Sequence, residues 1–377
     1  MLTARIAIIG GGLSGLYAAY LLEQRGIRDY VLLEARDALG GRIVSVSPTA
    51  RTEEQRPRER YDLGATWFWP ALQPDLQALM DELDLQTFAQ REEGDMLLER
   101  SPTHTPVRVD GYRSTPAAKR LVGGMGALVD ALHQRLTANR LMTHCHVKRV
   151  RYLDDCVEVE ADGPQGRELM HRVAHVLLAV PPRLAAGTIV FEPALPDALA
   201  GPWKHCATWM ASHAKYLAVF DRPFWREQGL SGEARSAVGP MTEIHDASAL
   251  ACDGALFGFL GVPAPVRRRI PEQELRALCR AQLVRLFGRC AASPRIEYLK
   301  DWARDPYTAL EADNKVGAHQ VLPLPSCAAS GVWCNRLTGI ASEWSPEFGG
   351  YVAGALDAAR RAVAALMAGN TADSLLH

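Results

Sequence analysis

The 377-residue sequence predicts an α/β fold built on a parallel sheet, and three observations near its start carry that expectation. Residues 5–9 (RIAII) are almost wholly apolar, as a strand covered on both faces requires. A glycine-rich turn, Gly10-Gly11-Gly12-Leu13-Ser14-Gly15, leads straight into Leu13–Arg25, whose apolar residues recur at helical spacing. Tyr30–Glu34 (YVLLE) is a second short apolar strand. Strand, turn, helix and strand in so short a stretch make a βαβ unit.

The remaining elements follow in order. Pro48–Arg60 is polar, mixed in charge and without apolar periodicity, so an exposed loop or hairpin tip is expected. A helix is expected over 71–84. Short irregular strands are expected over 95–113, where turn residues alternate with Val and Leu. Residues 116–138 begin with proline and end as an amphipathic helix. Three β-rich pieces come next, at 143–152, 156–160 and 172–180, the last closed by Pro181-Pro182. Strands near 213–220, 255–261 and 296–300 are joined by an amphipathic helix at 271–287, and 303–330 reads as loop. A strand at 337–341, a glycine turn and a helix at 350–368 end the chain. With no repeat and no low-complexity linker, the domains should interleave.

Composition excludes several classes of function. With 42 basic and 43 acidic residues there is no charge excess to attract nucleic acid or an acidic membrane. A hydrophobic content of 48% argues against disorder. Eight cysteines lie scattered without a CxxC pair, which is neither a disulfide framework nor a zinc motif and suits a reducing cytoplasm. His144 and His146 share a strand face, but with no further ligand cluster no metal site is expected. The other histidines and the run Arg267–Arg269 are expected at the surface. The first residues are too weakly basic and their apolar run too short for a signal peptide, and Asp357, Arg360 and Arg361 interrupt the most apolar helix. A soluble, cytoplasmic protein is expected.

Gly10, Gly12 and Gly15 form GxGxxG between a strand and a helix. The first glycine permits the tight turn, the second lets a pyrophosphate approach the backbone, and the third lets helix pack on strand. The helix start, with Ser14 in its first turn, offers N–H groups and a positive dipole end to phosphate. Glu34, 24 positions after Gly10, suits a ribose diol and disfavours a 2′-phosphate. Glu34-Ala35-Arg36 continues through Gly40-Gly41-Arg42, where the Arg42 guanidinium suits forked bonds to phosphate. NAD-only dehydrogenases do not usually carry this extension and there is no second GxGxxG, so FAD is the predicted dinucleotide.

Further segments extend the pattern: Asp62-Leu63-Gly64-Ala65-Thr66-Trp67, Gly123-Gly124-Met125, His146-Val147, Val180-Pro181-Pro182, Lys215 before FDRPFW, Trp302…Asp305-Pro306-Tyr307, and Glu343…Gly350-Tyr351-Val352-Ala353-Gly354-Ala355. In order and spacing the chain resembles the flavin-containing amine oxidase family, which includes monoamine and polyamine oxidases and histone lysine demethylases. The resemblance implies a Rossmann-like FAD domain of the glutathione-reductase type over 1–86, 119–203 and 305–377, with an interleaved, reduced α+β substrate domain over 87–118 and 204–304. It places Gly64, Ala65 and Thr66 at the cofactor, the Val147 backbone at adenine, Trp67 beside the flavin ring, and Lys215 where the family holds a water against flavin N5. Tyr351 would form one wall of an amine cage. On physical grounds Glu343 can accept bonds from ribityl hydroxyls. The helix opened by Gly349-Gly350, with Val352 in its first turn, can stabilise charge on a reduced flavin. A lysine within an apolar strand, as Lys215 is, must be satisfied by partners.

Two departures from the family stand out. After Tyr307 the family continues x-x-G-[SC]-Y, but here the run is Thr308-Ala309-Leu310-Glu311-Ala312. Glu311 at the Ser/Cys position implies non-covalent FAD, and Ala312 removes the second cage tyrosine. A carboxylate at Glu311 can instead attract a cationic amine. In addition, only about 50 residues separate Trp67 from Gly123, too few for the family's long helical substrate segment. An open flavin face is expected, suited to a bulky amine or closed by a second copy or another subunit. The expected activity is oxidation of an amine C–N bond by hydride transfer to flavin N5, with imine hydrolysis and reoxidation by dioxygen. The alternatives are a flavin-dependent desaturase or oxidase acting on a carbon–carbon bond, and a flavin-binding subunit without turnover.

Overall fold

The computed structural model describes residues 2–48, 60–250, 253–314 and 324–373. Most of the loop expected at 48–60 lies outside them, as does part of 303–330.

The apolar runs build a five-stranded parallel sheet in the order Leu141–Met142, Tyr30–Leu33, Ile6–Ile9, His175–Leu178, Leu337–Gly339. Alternation divides each strand between two cores. Ile6, Ile8, Leu32 and Leu177 face the helices Leu13–Gln24, Gly126–Arg135 and Val352–Asp373. Ala7, Ile9, Val31, Leu33, Val176 and Leu178 face a second sheet, through Val150, Val157 and Val159. Both faces are covered, which is why these strands read as unbroken apolar runs. The helix Gly126–Arg135 starts where Asp62 Oδ1 accepts from Met125 N–H at 2.8 Å and Ser45 Oγ from Gly126 N–H at 2.9 Å. Those bonds hold the first strands after the βαβ unit against it.

The second sheet runs Leu2–Thr3, Glu168–Val173, Cys156–Asp162, His146–Leu153, Val190–Glu192. The β-rich piece expected at 172–180 is therefore the end of one strand and all of another, in different sheets. The chain switches sheets at Ala174, where Ala174 N–H and His175 N–H both donate to Arg5 O, at 2.9 and 3.2 Å.

A seven-stranded sheet runs Ile296–Asp301, Ala214–Phe220, Gly254–Leu260, Met241–Asp246, Leu230–Ser236, Asp95–Glu99, Val107–Val109, antiparallel but for the pair Leu230–Ser236 with Asp95–Glu99. Its strands come from two stretches of the chain on either side of Gly126–Arg135. One face, with Tyr216, Ala218 and Phe220, packs on the helix Glu272–Phe287. Leu217, Val219 and Phe257 on the opposite face meet Tyr61 and Leu63. Lys215 shares that second face with Leu217, so the sheet presents its lysine toward the parallel-sheet half of the molecule. Among the described residues, no helix is long and apolar enough to cross a membrane.

Candidate active site

The carboxyl ends of the parallel strands open onto one cavity of about 1130 Å³. An open α/β sheet binds ligands at this edge. Its lining runs from Gly10, Gly12 and Ser14 through Glu34, Ala35 and Arg36 to Gly41 and Arg42. Gly64, Ala65, Thr66, Trp67, Val147, Lys215, Gly350, Tyr351 and Val352 are in the same wall, while Gly15 and Glu343 of the expected set are not.

Gly10 has φ 110°, and Gly12 caps the helix Leu13–Gln24 with no side chain over its first N–H groups. Gly12 and Gly41 lie face to face, and a Cβ on Gly12 would come no nearer than 3.7 Å to any neighbour. Gly15 differs: it is absent from the lining, and its Cβ would lie 2.0 Å from Gly10 O. Its bareness serves the turn and not the cavity. The Ser14 hydroxyl donates to Ile340 O. Glu34, 4% exposed, accepts from Gly11 N–H at 2.6 Å and Arg36 N–H at 2.9 Å.

Two arginines of this stretch reach carboxylates far along the chain. Arg36 donates to Asp305 at 2.7 Å and Thr308 Oγ1 at 3.0 Å, with its guanidinium over the Tyr307 ring. Burial pushes the Asp305 carboxyl up, but the Lys300 hydrogen bond at 2.8 Å and the Arg36 charge outweigh it, leaving the group below its ordinary range. Arg42 forks onto both oxygens of Glu343, at 2.6 and 3.0 Å. Glu343 is absent from the cavity lining, and its carboxylate pairs with Arg42. Against the upward push of burial, Arg42's charge and hydrogen bonds hold the Glu343 carboxyl below its usual value.

Lys215, 2% exposed, is on an interior strand of its sheet, not an edge. Its Nζ donates to Thr66 Oγ1 at 2.6 Å and Gly64 O at 3.3 Å, and lies 3.9 Å from the centre of the Phe257 ring. Burial brings its pKa down to about 7, with the Asp62 charge opposing the shift. Trp67 is fixed by its indole N–H on Gln90 Oε1 at 2.8 Å and by Phe257, 5.3 Å away between ring centres. Of the adjacent aromatics, Phe68 is core and Trp69 joins the lining. Tyr351, 38% exposed, marks where the cavity reaches the surface, and the helix beyond it begins at Val352. Glu311 is in the lining and Ala312 is not.

Surface expectations are corrected at Arg267, His171 and His213, and His171 is 1% exposed within the strand Glu168–Val173. Arg267 is 1% exposed, forks onto Asp301 and donates to Val262 O and Ser212 O, so its charge is wholly used inside the cavity wall. His213 also lines the cavity, with its pKa lowered by burial and by Arg267. Its position two residues before Lys215 was the available signal, although the strand itself begins at Ala214. Nothing in their local sequence marked Trp209, Met210 or Glu243, which complete the wall. Among the described residues no group of His, Cys, Asp and Glu could hold a metal ion, and the described cysteines are free thiols.

A family profile described as flavin containing amine oxidoreductase matches residues 88–367, and one for an NAD(P)-binding Rossmann-like domain matches 8–83. A probable flavin-containing monoamine oxidase A of Dictyostelium discoideum is 23% identical, over 80% of this chain and 84% of that protein. Putrescine oxidase of Kocuria rosea is 29% identical over 55% of this chain, a match spanning 46% of its own length. Among solved structures, putrescine oxidase superposes with a TM-score of 0.77 at 22% identity, covering 97% of this chain and 99% of that one. Cyclohexylamine oxidase from Brevibacterium oxydans gives 0.77 at 18%, covering 99% and 100%. At these identities the superpositions speak for the fold, and the sequence match speaks for the family. The chain belongs to the flavin containing amine oxidoreductases.

Proposed function

We propose that the cavity binds FAD non-covalently and that the protein oxidises the C–N bond of an amine, with dioxygen as electron acceptor. One observation carries the reading. A single cavity joins a glycine cradle and a buried ribose-type carboxylate to a buried, satisfied lysine and a fixed tryptophan. The cradle fits a dinucleotide: Gly12 lines the cavity with no side chain, beside uncapped helix N–H groups where a pyrophosphate is favoured. Glu34, Arg36 and the Val147 backbone would hold the adenosine half. Arg42, Gly64, Ala65, Thr66, Gly350 and Val352 would hold the flavin half. Beyond the glycine cradle the lining continues to Trp67, Trp69, Trp209 and Met210, which gives a substrate a place beside the cofactor. In this division 1–86, 119–203 and 305–377 bind FAD, and 87–118 with 204–304 face the substrate.

Bound FAD would supply the redox chemistry, as acceptor of the hydride's two electrons from the carbon beside the amine nitrogen and donor of them to dioxygen. The chain's own residues prepare for it. Lys215, poised near neutrality, gives a proton-bearing group at the reaction face with Thr66 fixing its Nζ. Trp67 walls the pocket and excludes water, and Tyr351 offers an aromatic face at the mouth. Glu311 at the lining draws a cationic amine inward. Trp69, Trp209, Met210 and Val262 make the remaining wall largely apolar, which suits a bulky amine. A second copy closing the mouth at Tyr351 is the other way to exclude water, and the solution mass of the FAD-loaded protein tests it.

Anaerobic mixing with amines tests the reaction. Bleaching of the flavin absorbance by amines, and not by unsaturable carbon skeletons, is expected. Bleaching only by the latter would move the activity to carbon–carbon bonds, a reading the amine oxidase relatives do not favour. Bound FAD that no substrate bleaches would leave a non-catalytic flavoprotein.

A further inference from the structure

Asp313, 5% exposed, lies on the turn Glu311–Asn314, between the cavity-lining residues Glu311 and Asn314. Its carboxylate joins three separate stretches of chain. Oδ1 accepts from Arg183 Nη1 at 2.6 Å and from Thr208 N–H at 3.0 Å, and Oδ2 accepts from Leu310 N–H at 2.9 Å. Arg183 spends its other nitrogens on Lys204 O at 3.1 Å and His205 O at 2.9 Å, the closing carbonyls of the helix Asp197–His205. One carboxylate and one guanidinium thus tie the helix Pro182–Thr188, the turn after His205 and the segment Leu310–Asn314 together.

All three stretches contribute to the cavity, through Leu184, Trp209, Met210, Leu310 and Glu311. Met210 has φ 62°, a left-handed conformation that a non-glycine residue keeps only where its surroundings impose it. It lies two residues beyond the N–H that Asp313 binds, and its carbonyl accepts from His213 N–H at 3.0 Å. On the other side, a Cβ at Gly187 would lie 2.7 Å from Leu310 Cδ1, so Leu310 seats directly on the Pro182–Thr188 helix. The strained turn and the seated leucine share one anchor, and it is Asp313.

We propose that Asp313 is a specificity-determining positioning residue: paired with Arg183, it holds Trp209, Met210 and Leu310 as one wall, and that wall sets the size of amine admitted. The proposal rests on the amine reading above. Asp313 touches no reacting atom and acts through the wall.

The test uses the FAD-loaded protein as wild type, Asp313→Asn and Arg183→Lys. Two amines without an α-hydrogen, tert-butylamine and cumylamine, are titrated by the change in the flavin spectrum. KM and kcat are measured for butylamine and 4-phenylbutylamine. In Asp313→Asn the small-to-bulky ratio of dissociation constants should shift about tenfold toward the bulky amine, with KM following and kcat changing much less. Arg183→Lys should shift it in the same direction by a smaller factor, and it carries the test if Asp313→Asn does not fold. Equal ratios in all three proteins, or lost FAD and lowered Tm without a change in ratio, would overturn the proposal. A wild type that neither binds nor is reduced by any amine would instead remove the amine reading, and this proposal with it.

Discussion

Lys215 ionises near 10.5 in an unfolded chain and near 7 in its buried place, because burial penalises the ammonium more than Asp62 compensates it. Between those values the unfolded state holds a proton that the folded state lacks, so stability rises as pH increases from about 7 to about 10.5. The stability of wild type minus that of Lys215→Met should therefore rise by roughly 3 kcal/mol between pH 7 and 9.5 in denaturant titrations. Parallel curves would show that the lysine stays charged. Glu311 sits in the lining but remains exposed, so its effect on an incoming cation is modest. Glu311→Gln should raise KM for a cationic amine about two- to fivefold and weaken its pH dependence. An unchanged KM at every pH would remove Glu311 from the site. At this scale the sequence was partly legible. The cost of a lysine in an apolar strand announced that Lys215 needs partners, but not that Thr66 and Phe257 supply them. Arg267 reads as one of three surface arginines, and only Asp301, 34 positions away, brings it inside.

Two glycines of one turn separate folding from binding. A Cβ on Gly15 would meet Gly10 O at 2.0 Å, backbone against backbone, whereas one on Gly12, a cavity-lining residue, would only touch Gly41 Cα at 3.7 Å. Gly15→Ala should destabilise the FAD-free protein by several kcal/mol, beyond an ordinary surface change. Gly12→Ala should leave its Tm within a degree or two while raising the dissociation constant for FAD more than tenfold. Equal losses of Tm in both variants would refute this division. Elements were legible where local pattern and burial agree, as in Ile6–Ile9 and Leu13–Gln24. Leu230–Ser236 (LSGEARS) and Met241–Asp246 (MTEIHD) carry no such pattern and escaped notice. They are strands because Ala234 pairs with Ile244 and Leu230 with Asp95, partners their own sequence does not reveal. The reverse happened at 172–180, where one continuous strand-like stretch is cut by Arg5 O.

Across the whole molecule, two ion pairs fasten the first βαβ unit to the last third of the chain: Arg36 to Asp305 and Arg42 to Glu343. The second pair has the more buried carboxylate, at 4% side-chain exposure, opposite a guanidinium 29% exposed. Glu343→Gln leaves that guanidinium without its counter-charge. It should cost the FAD-free protein about 2 kcal/mol in urea unfolding, below the range for a fully buried pair because Arg42 is partly wet. A cost under a few tenths of a kcal/mol would mean that water replaces the carboxylate. The sequence by itself determined the parallel sheet, the glycine turn and the interleaving of elements, because strand burial and helical periodicity are written in neighbouring residues. Only the tertiary structure decided that Glu343 serves Arg42, that Lys215 meets Thr66, and that Asp313 gathers three segments into one wall. Those pairings join residues more than a hundred positions apart, and which of many charged side chains meet is set by how the sheets and helices pack.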